Sequence, residues 1–550
     1  MFENLKKIFQ AFSIQERRVF AVTFVSAVVS SLLLSGVWVA NATRVVPAAG
    51  GDFIEGIVGQ PTYINPVIAV SETDKGLVRM VFSSLTSLAE KTESSKDGRT
   101  WKIRLREKLL WQNGEKLTSD DVLFTVQRIQ DPDVQSPLFS AWQGVLATRL
   151  SELELQFVLA NPYAFFSYNL ENLFIVPKHL LDDVAPANWR LSEYNLKPVG
   201  SGPYAFDSYK TRPDGFIETY RLKRNPHYAE DRPFIDEIHV EFFSESDSLV
   251  QAFNAGKIDG VGGLGLEDIQ GVTRPHLELS FRLPRYYAVF LNQSKNLALK
   301  ESEVRRALAF ATDGQKLVEE VLGGKGVAVR GPIPPDALYA SQALEPSEFS
   351  KDAAREILEQ AGWKETDAGE RAKTIRNTTI PLELTVVVPQ ISFLTRTADI
   401  LRSLWEEVGI KVNVVARAPE EVSNSIIKNR DYEALIFGNI LSPSSDLFSF
   451  WHSSERFHPG LNLALYNNKT VDSLIEASRQ NLDSVGRADA FFELQQAIME
   501  DHPAVFLYSP HYLYLIPKGV GGIESGVLGE AADRFRSIGT WYLNTARVLK

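Results

Sequence analysis

The sequence predicts an α/β protein of two or three domains, set behind one N-terminal helix long enough to cross a membrane. Three observations carry this. Residues 381–388 (PLELTVVV) are β-rich, 393–408 have helical periodicity, and Gly409 separates them from a second β-run at 410–415. Such a strand-helix-strand unit requires parallel strands joined by a right-handed crossover. Nearer the N-terminus, Trp101 to Leu105 alternates with period two, Gly114 punctuates a turn, and Thr118 opens a helix over 119–129. Finally, residues 19–43 form an uncharged run of 25 residues, which as a helix spans about 37 Å against roughly 30 Å of hydrocarbon.

Lys6, Lys7, Arg17 and Arg18 precede this run and only Arg44 follows closely, so the positive-inside rule keeps 1–18 as a cytoplasmic tail and places the rest outside. Ala40-Asn41-Ala42 also matches a signal-peptidase site. The apolar stretch exceeds the ~7 to 15 residues of a secretory signal, which favours an uncleaved membrane anchor; cleavage after Ala42 would make the protein secreted. Residues 44–50 read as a linker of small residues and Pro, and the folded region opens with a strand near Phe53.

Composition narrows the function. A net charge of −11 argues against nucleic acid as a partner, since phosphate-backbone binding needs clustered Lys and Arg. The absence of cysteine removes disulfides, thiolate metal sites and cysteine nucleophiles. The eight histidines stand singly, without metal-ligand spacing. Gly260 to Gly265 fits G-x-G-x-x-G, but it follows a helix at 249–255 and only a short Ile258-Asp259 stretch, and no strand-end acid stands at the right distance. It reads as a Gly-rich loop. Asp120-Asp121 after Thr118 reads as helix capping rather than acid/base chemistry. Neither a phosphate loop nor a nucleophile elbow is present. No catalytic residue, metal or cofactor is expected. Aromatic residues make up 11% of the chain and gather with Pro and Gly around Tyr204, Tyr286-Tyr287, Phe448 to Trp451 and Tyr508 to Tyr514, which suits an enclosed apolar pocket.

Ordered segments resemble solute-binding protein family 5, the oligopeptide, dipeptide and nickel receptors of ABC importers. They are PTYINP (61–66), the block DGRTWKIRLREKLLWQNGEKLTSDDVLFTVQRI (97–129), PVGSGPY (198–204), RNPHY (224–228) with PFID (233–236), VRRALAFATD (304–313) and GPIPP (331–335). The resemblance runs from about Gly51 to Ile523. It implies a two-lobed periplasmic-binding-protein-like fold (type II, cluster C) with an inserted domain. Lobe I would comprise 51–88, 198–285 and 516–550, the insert 89–197, and lobe II 286–515. Function would be binding without chemistry: the lobes close on a peptide or similar small solute and present it to an ABC permease and its ATPase subunits.

The residues expected to meet the solute are Tyr63, Asn65, Tyr204, Tyr287, Asn292, Asn439, Asp446 and Trp451. Trp451 would be a pocket wall whose loss weakens binding. Peptide receptors of this group place an Asp, shortly before an acid-Pro pair, against the peptide amine. The matching segment here, 438–446, has Asp446 as its only acid, so Asp446 is expected to take that role. A metal chelate or sugar oligomer is the alternative solute, and a membrane-bound peptide hydrolase the alternative from another class.

Overall fold

The computed structural model describes residues 12–335, 337–340, 349–367, 369–375, 378–441 and 444–550. Residues 1–11 of the expected tail, and Ser442 and Pro443 within the segment 438–446, lie outside these. The N-terminal helix runs Ile14–Ala42 over 29 residues and is the one helix among the described residues long and apolar enough to span a membrane. It starts earlier than the uncharged run because Ser13 and Glu16 cap it: the Ser13 amide donates to Glu16 Oε2 at 2.8 Å.

Residues 44–50 are not a loose linker. Thr43–Ala48 is a strand paired antiparallel with the C-terminal strand Asn544–Leu549, from Thr43 opposite Leu549 to Ala48 opposite Asn544. β-branched Val45 and Val46 suit a strand, and Pro47 is tolerated because a two-stranded ribbon leaves every residue on an edge. The Lys550 amide closes the ribbon on the Ala42 carbonyl at 2.9 Å.

Two mixed sheets form the body. The first has seven strands in the order Leu277–Phe281, Tyr512–Ile516, Gly260–Gly262, Asp52–Val58, Glu237–Phe243, Ile217–Arg224 and Tyr204–Thr211. The second has six: Gly326–Ala328, Ala504–Pro510, Arg285–Leu291, Ala434–Ile440, Glu383–Pro389 and Lys411–Arg417. The strand-helix-strand unit read from sequence lies here, with Glu383–Pro389 parallel to Lys411–Arg417 across the helix Ser392–Glu406. Apolar clusters cover both faces of this sheet, which is why Val386, Val387 and Val388 run together instead of alternating with polar residues. Tyr512–Ile516 belongs to the first sheet, so the chain returns between sheets at 510–511 and not at 516; Pro510 has no N–H with which to prolong the second ladder.

Residues 89–158 carry a separate four-stranded antiparallel sheet. Its core is continuous with the first sheet's: Trp111, Trp142 and Trp189 share one cluster with Phe53, Tyr514 and Trp541. The sequence blocks that carry the family resemblance meet at this seam. Asn225 Nδ2 donates to the Gly202 carbonyl at 2.8 Å and Tyr204 Oη to the Ile235 carbonyl at 3.2 Å. A Cβ on Gly200 would lie 2.0 Å from the Val81 carbonyl oxygen, so Gly200→Ala is expected to push apart the end of the helix Glu72–Val81 and the strand that follows, lowering the melting temperature of the purified chain.

The two sheets are joined by two adjacent chain crossings. Leu277–Phe281 continues through 282–284 into Arg285–Leu291, while Ala504–Pro510 continues into Tyr512–Ile516, and these strands pair in both sheets. Two short paired connections are the construction of a hinge.

Candidate functional site

In both sheets the parallel strands point their carboxyl ends at the seam between the lobes, which is where open α/β sheets bind ligands. A cleft of about 840 Å³ opens there. The first lobe supplies the loop and short helix 263–270, and the second supplies Arg285, Tyr287, the end of the helix Gly314–Leu322 and the start of the helix Ser392–Glu406. Tyr287 packs edge-on against Phe393, ring centroids 5.2 Å apart. Leu264, Leu266 and Leu513 add apolar wall. Ser392 Oγ donates to Glu267 at 2.7 Å and Lys325 Nζ to Glu278 at 2.5 Å, both across the seam.

The glycines at 260–265 make this loop possible for a reason unrelated to nucleotides. A Cβ at Gly260 would fall 2.4 Å from Tyr514 Oη, and one at Gly262 would fall 2.1 Å from Tyr512 Oη. The strand must pass flush against two tyrosines before turning into the cleft.

Of the eight residues expected from sequence, only Tyr287 lines this cleft. Asn439 and Trp451 do come together, but in the core. Both donate to the hydroxyl of Tyr286, at 2.9 and 3.2 Å, and Trp451 is fully buried among Phe290, Tyr466 and Phe506. Trp451 is therefore not a pocket wall. Asn292 is buried and holds a turn, accepting from the Ser294 amide and donating to the Arg430 carbonyl. Asn65, with its carbonyl oxygen on the Val67 amide and its amide on Asn195, and Tyr204 are buried in the first-lobe core. Tyr63 packs beside that core under the Arg190 guanidinium.

Asp446 is already engaged. Tyr163 Oη of the insert donates to Oδ2 at 2.9 Å, the Phe448 amide to Oδ1 at 3.1 Å, and Arg479 Nε lies 3.1 Å from Oδ2. The Ala164 amide donates to the Arg479 carbonyl at 2.7 Å, and Phe165 enters the second-lobe core against Phe491. Asp446 thus docks the insert onto the second lobe instead of receiving an amine, since an acid with a cation and two donors has no unmet charge. Asp446→Asn is expected to leave the ratio of affinities for free and N-acetylated peptide unchanged; titration calorimetry with the two peptides checks this.

Sequence reasoning missed Arg285, Phe393, Arg396 and the 263–270 loop as cleft residues. Arg285 adjoins the noted Tyr286-Tyr287 pair, and the glycine run was a visible flag. Nothing in the sequence joins Arg396 to Arg285. The described residues hold one group with metal-ligand proximity, Asp52, Glu237 and His239. It sits at the amino ends of the first sheet's parallel strands, opposite the cleft, with Arg221 3.9 Å from Glu237.

Two α/β lobes on a double-stranded hinge, with an apolar cleft between them, define a bilobal solute-binding protein. Residues 86–458 match bacterial extracellular solute-binding proteins, family 5, and the chain belongs to that family. It is 26% identical over 503 residues to the oligopeptide-binding protein AppA of Bacillus subtilis, covering 87% of this chain and 90% of that one. Among solved structures, the ABC transporter substrate-binding protein CtaP of Listeria monocytogenes superposes with a TM-score of 0.77 at 22% identity, over 90% of this chain and 99% of that one. NikZ of Campylobacter jejuni, in complex with Ni(L-His), gives a TM-score of 0.72 at 23% identity, over 89% and 99%.

Proposed function

We propose that the chain is the extracytoplasmic receptor of an ABC importer, that peptides are its solutes, and that the helix Ile14–Ala42 holds it in the membrane uncleaved. The observation that carries the reading is the hinged cleft of about 840 Å³ with an apolar wall on both lobes. An extended peptide suits it: side chains fill the apolar wall while the main chain finds polar partners along the rim. Closure about the two crossings gives a permease and its ATPase subunits a form that differs from the empty one. The length of the apolar helix supports an uncleaved anchor, since its 29 residues exceed the short apolar core of a secretory signal.

Purified full-length chain incubated with a mixture of short peptides tests the reading. A receptor retains particular peptides intact, seen by mass spectrometry after gel filtration, and its melting temperature rises. Peptide consumption identifies a hydrolase instead. Retention of a metal chelate or an oligosaccharide, with no peptide, replaces the solute while leaving the receptor role.

A further inference from the structure

Resting on the reading of Ile14–Ala42 as an uncleaved anchor, we propose that the terminal ribbon is a lipid-binding element, its first residue pairs seated among anionic phospholipid headgroups. The helix sets the depth. From Arg18 to Ala42 it rises about 36 Å, more than the roughly 30 Å of hydrocarbon and less than the roughly 40–45 Å that includes both headgroup layers. With Arg18 among the headgroups of one face, Thr43 emerges among those of the other. Trp38, exposed on the helix, then lies near the second interface, where indole rings collect. A strand rises about 3.4 Å per residue, so a headgroup layer of about 5 to 7 Å takes in the first two or three pairs of the ribbon. These are Thr43 with Leu549, Arg44 with Val548 and Val45 with Arg547.

The side chains at this end suit such a layer. Directly paired residues share a face and successive ones alternate, so one face carries Arg547 with Val45 and Leu549, and the other carries Arg44 with Val548. Each face joins one guanidinium to exposed aliphatic groups: Leu549 is 75% exposed, Val45 57% and Val548 39%. The ribbon has no third strand to cover them, and none of the apolar clusters among the described residues includes a ribbon residue. Acids are absent from the same stretches, since no Asp or Glu occurs in 17–51 or 534–550. Arg547 donates to the Thr43 hydroxyl at 3.1 Å, which holds it toward the helix end of the ribbon. At the far end Asp236, beside Gly50, is paired with Arg224 at 2.5 Å. In a chain of net charge −11 this end is locally cationic, so an anionic surface attracts the ribbon and repels the body. The guanidinium fork matches phosphate oxygens, and the aliphatic groups reach the acyl boundary.

The chain has no cysteine, so single cysteines can carry a polarity-sensitive fluorophore. Full-length chain labelled at Leu33→Cys in the helix, Leu549→Cys in the ribbon or Leu191→Cys on the exposed insert is reconstituted in phosphatidylcholine vesicles with and without phosphatidylglycerol. The Leu549 label is expected to shift to the blue, and to be quenched by nitroxide-bearing headgroups, more strongly with phosphatidylglycerol; the Leu191 label should keep its aqueous emission. Arg44→Gln and Arg547→Gln should each weaken the phosphatidylglycerol-dependent seating about fivefold, with the near-ultraviolet circular dichroism of the body unchanged. Aqueous emission at Leu549 beside buried emission at Leu33 overturns the proposal and leaves the anchor standing. Aqueous emission at both removes the anchor, and the proposal with it. A shift of equal size in the two lipids overturns the anionic seat. Energy transfer between Leu549 labels on different chains in both lipids assigns the ribbon to pairing between copies and likewise overturns it.

Discussion

Trp451→Ala is expected to destabilise the second lobe by about 3 to 5 kcal/mol. The indole is fully buried, with ring neighbours Phe290, Phe506 and Tyr466 at centroid distances of 6.3, 5.9 and 6.1 Å. Its removal opens a cavity lined by rings that cannot collapse into it. The Tyr286 hydroxyl also loses one of its two donors. Melting of the purified chain without solute reads the effect, and Trp451→Phe, which keeps most of the volume, should lose much less. An unchanged melting temperature combined with weakened solute binding would return Trp451 to the cleft wall.

Arg534→Ala should be comparably severe, for an electrostatic reason. Glu55 is completely buried on the central strand of the first sheet, 3.0 Å from Arg534 Nη2, and accepts from Tyr514 Oη at 2.6 Å. The guanidinium is itself buried, 4.0 Å above the ring of Phe535. Removing it leaves a buried carboxylate uncompensated, at a cost of about 3 to 5 kcal/mol. The pH dependence has a definite sign. Burial raises the Glu55 pKa above its ordinary value, and Arg534 opposes the rise. A carboxyl whose folded pKa exceeds its unfolded one binds more protons when folded, so stability falls as pH rises above the unfolded value. Without Arg534 the rise is larger. The deficit of Arg534→Ala should therefore be greater at pH 8 than at pH 5, and Glu55→Gln in the same chain should remove most of that difference. Denaturant titrations at the two pH values would show it; a pH-independent deficit would mean that packing of Arg534 against the rings, and not charge, is what is lost.

The fold was largely legible because its signals are local and repeated. The parallel unit at 381–415 declared itself through Gly409 and two β-runs. The helix after Thr118 declared itself through a capping box, present as the Thr118 amide donating to Asp121 at 2.9 Å. The family blocks fixed the order of the lobes, yet their residues hold the scaffold: Asn225, Gly202 and Tyr204 bond to one another's segments and not to the cleft. This explains why residues chosen from those blocks missed the site. The choice between Tyr286 and Tyr287 shows the limit more sharply. Successive side chains on a strand face opposite ways, so one of the two had to enter the core and the other the opposite face. Which did so depended on the pairing of Arg285–Leu291 with two neighbours, Ala434–Ile440 and Ala504–Pro510, both far away in sequence. Asp446 was misread for a similar reason, since Tyr163 lies 283 residues away.

On the proposed reading, with the helix Ile14–Ala42 uncleaved and a permease as partner, the terminal ribbon bears on how the two would meet. A flexible tether would let the lobes sample a hemisphere above the bilayer, with an effective concentration set by chain length. Here the strand begins at Thr43, one residue after the helix ends, and Gly50 is pinned in turn by Phe234 and Asn544, so there is no slack. For a chain held by that helix, encounter would be a matter of lateral diffusion and of rotation about the helix axis, and delivery would scale with receptor density in the plane of the membrane, whatever the volume above it.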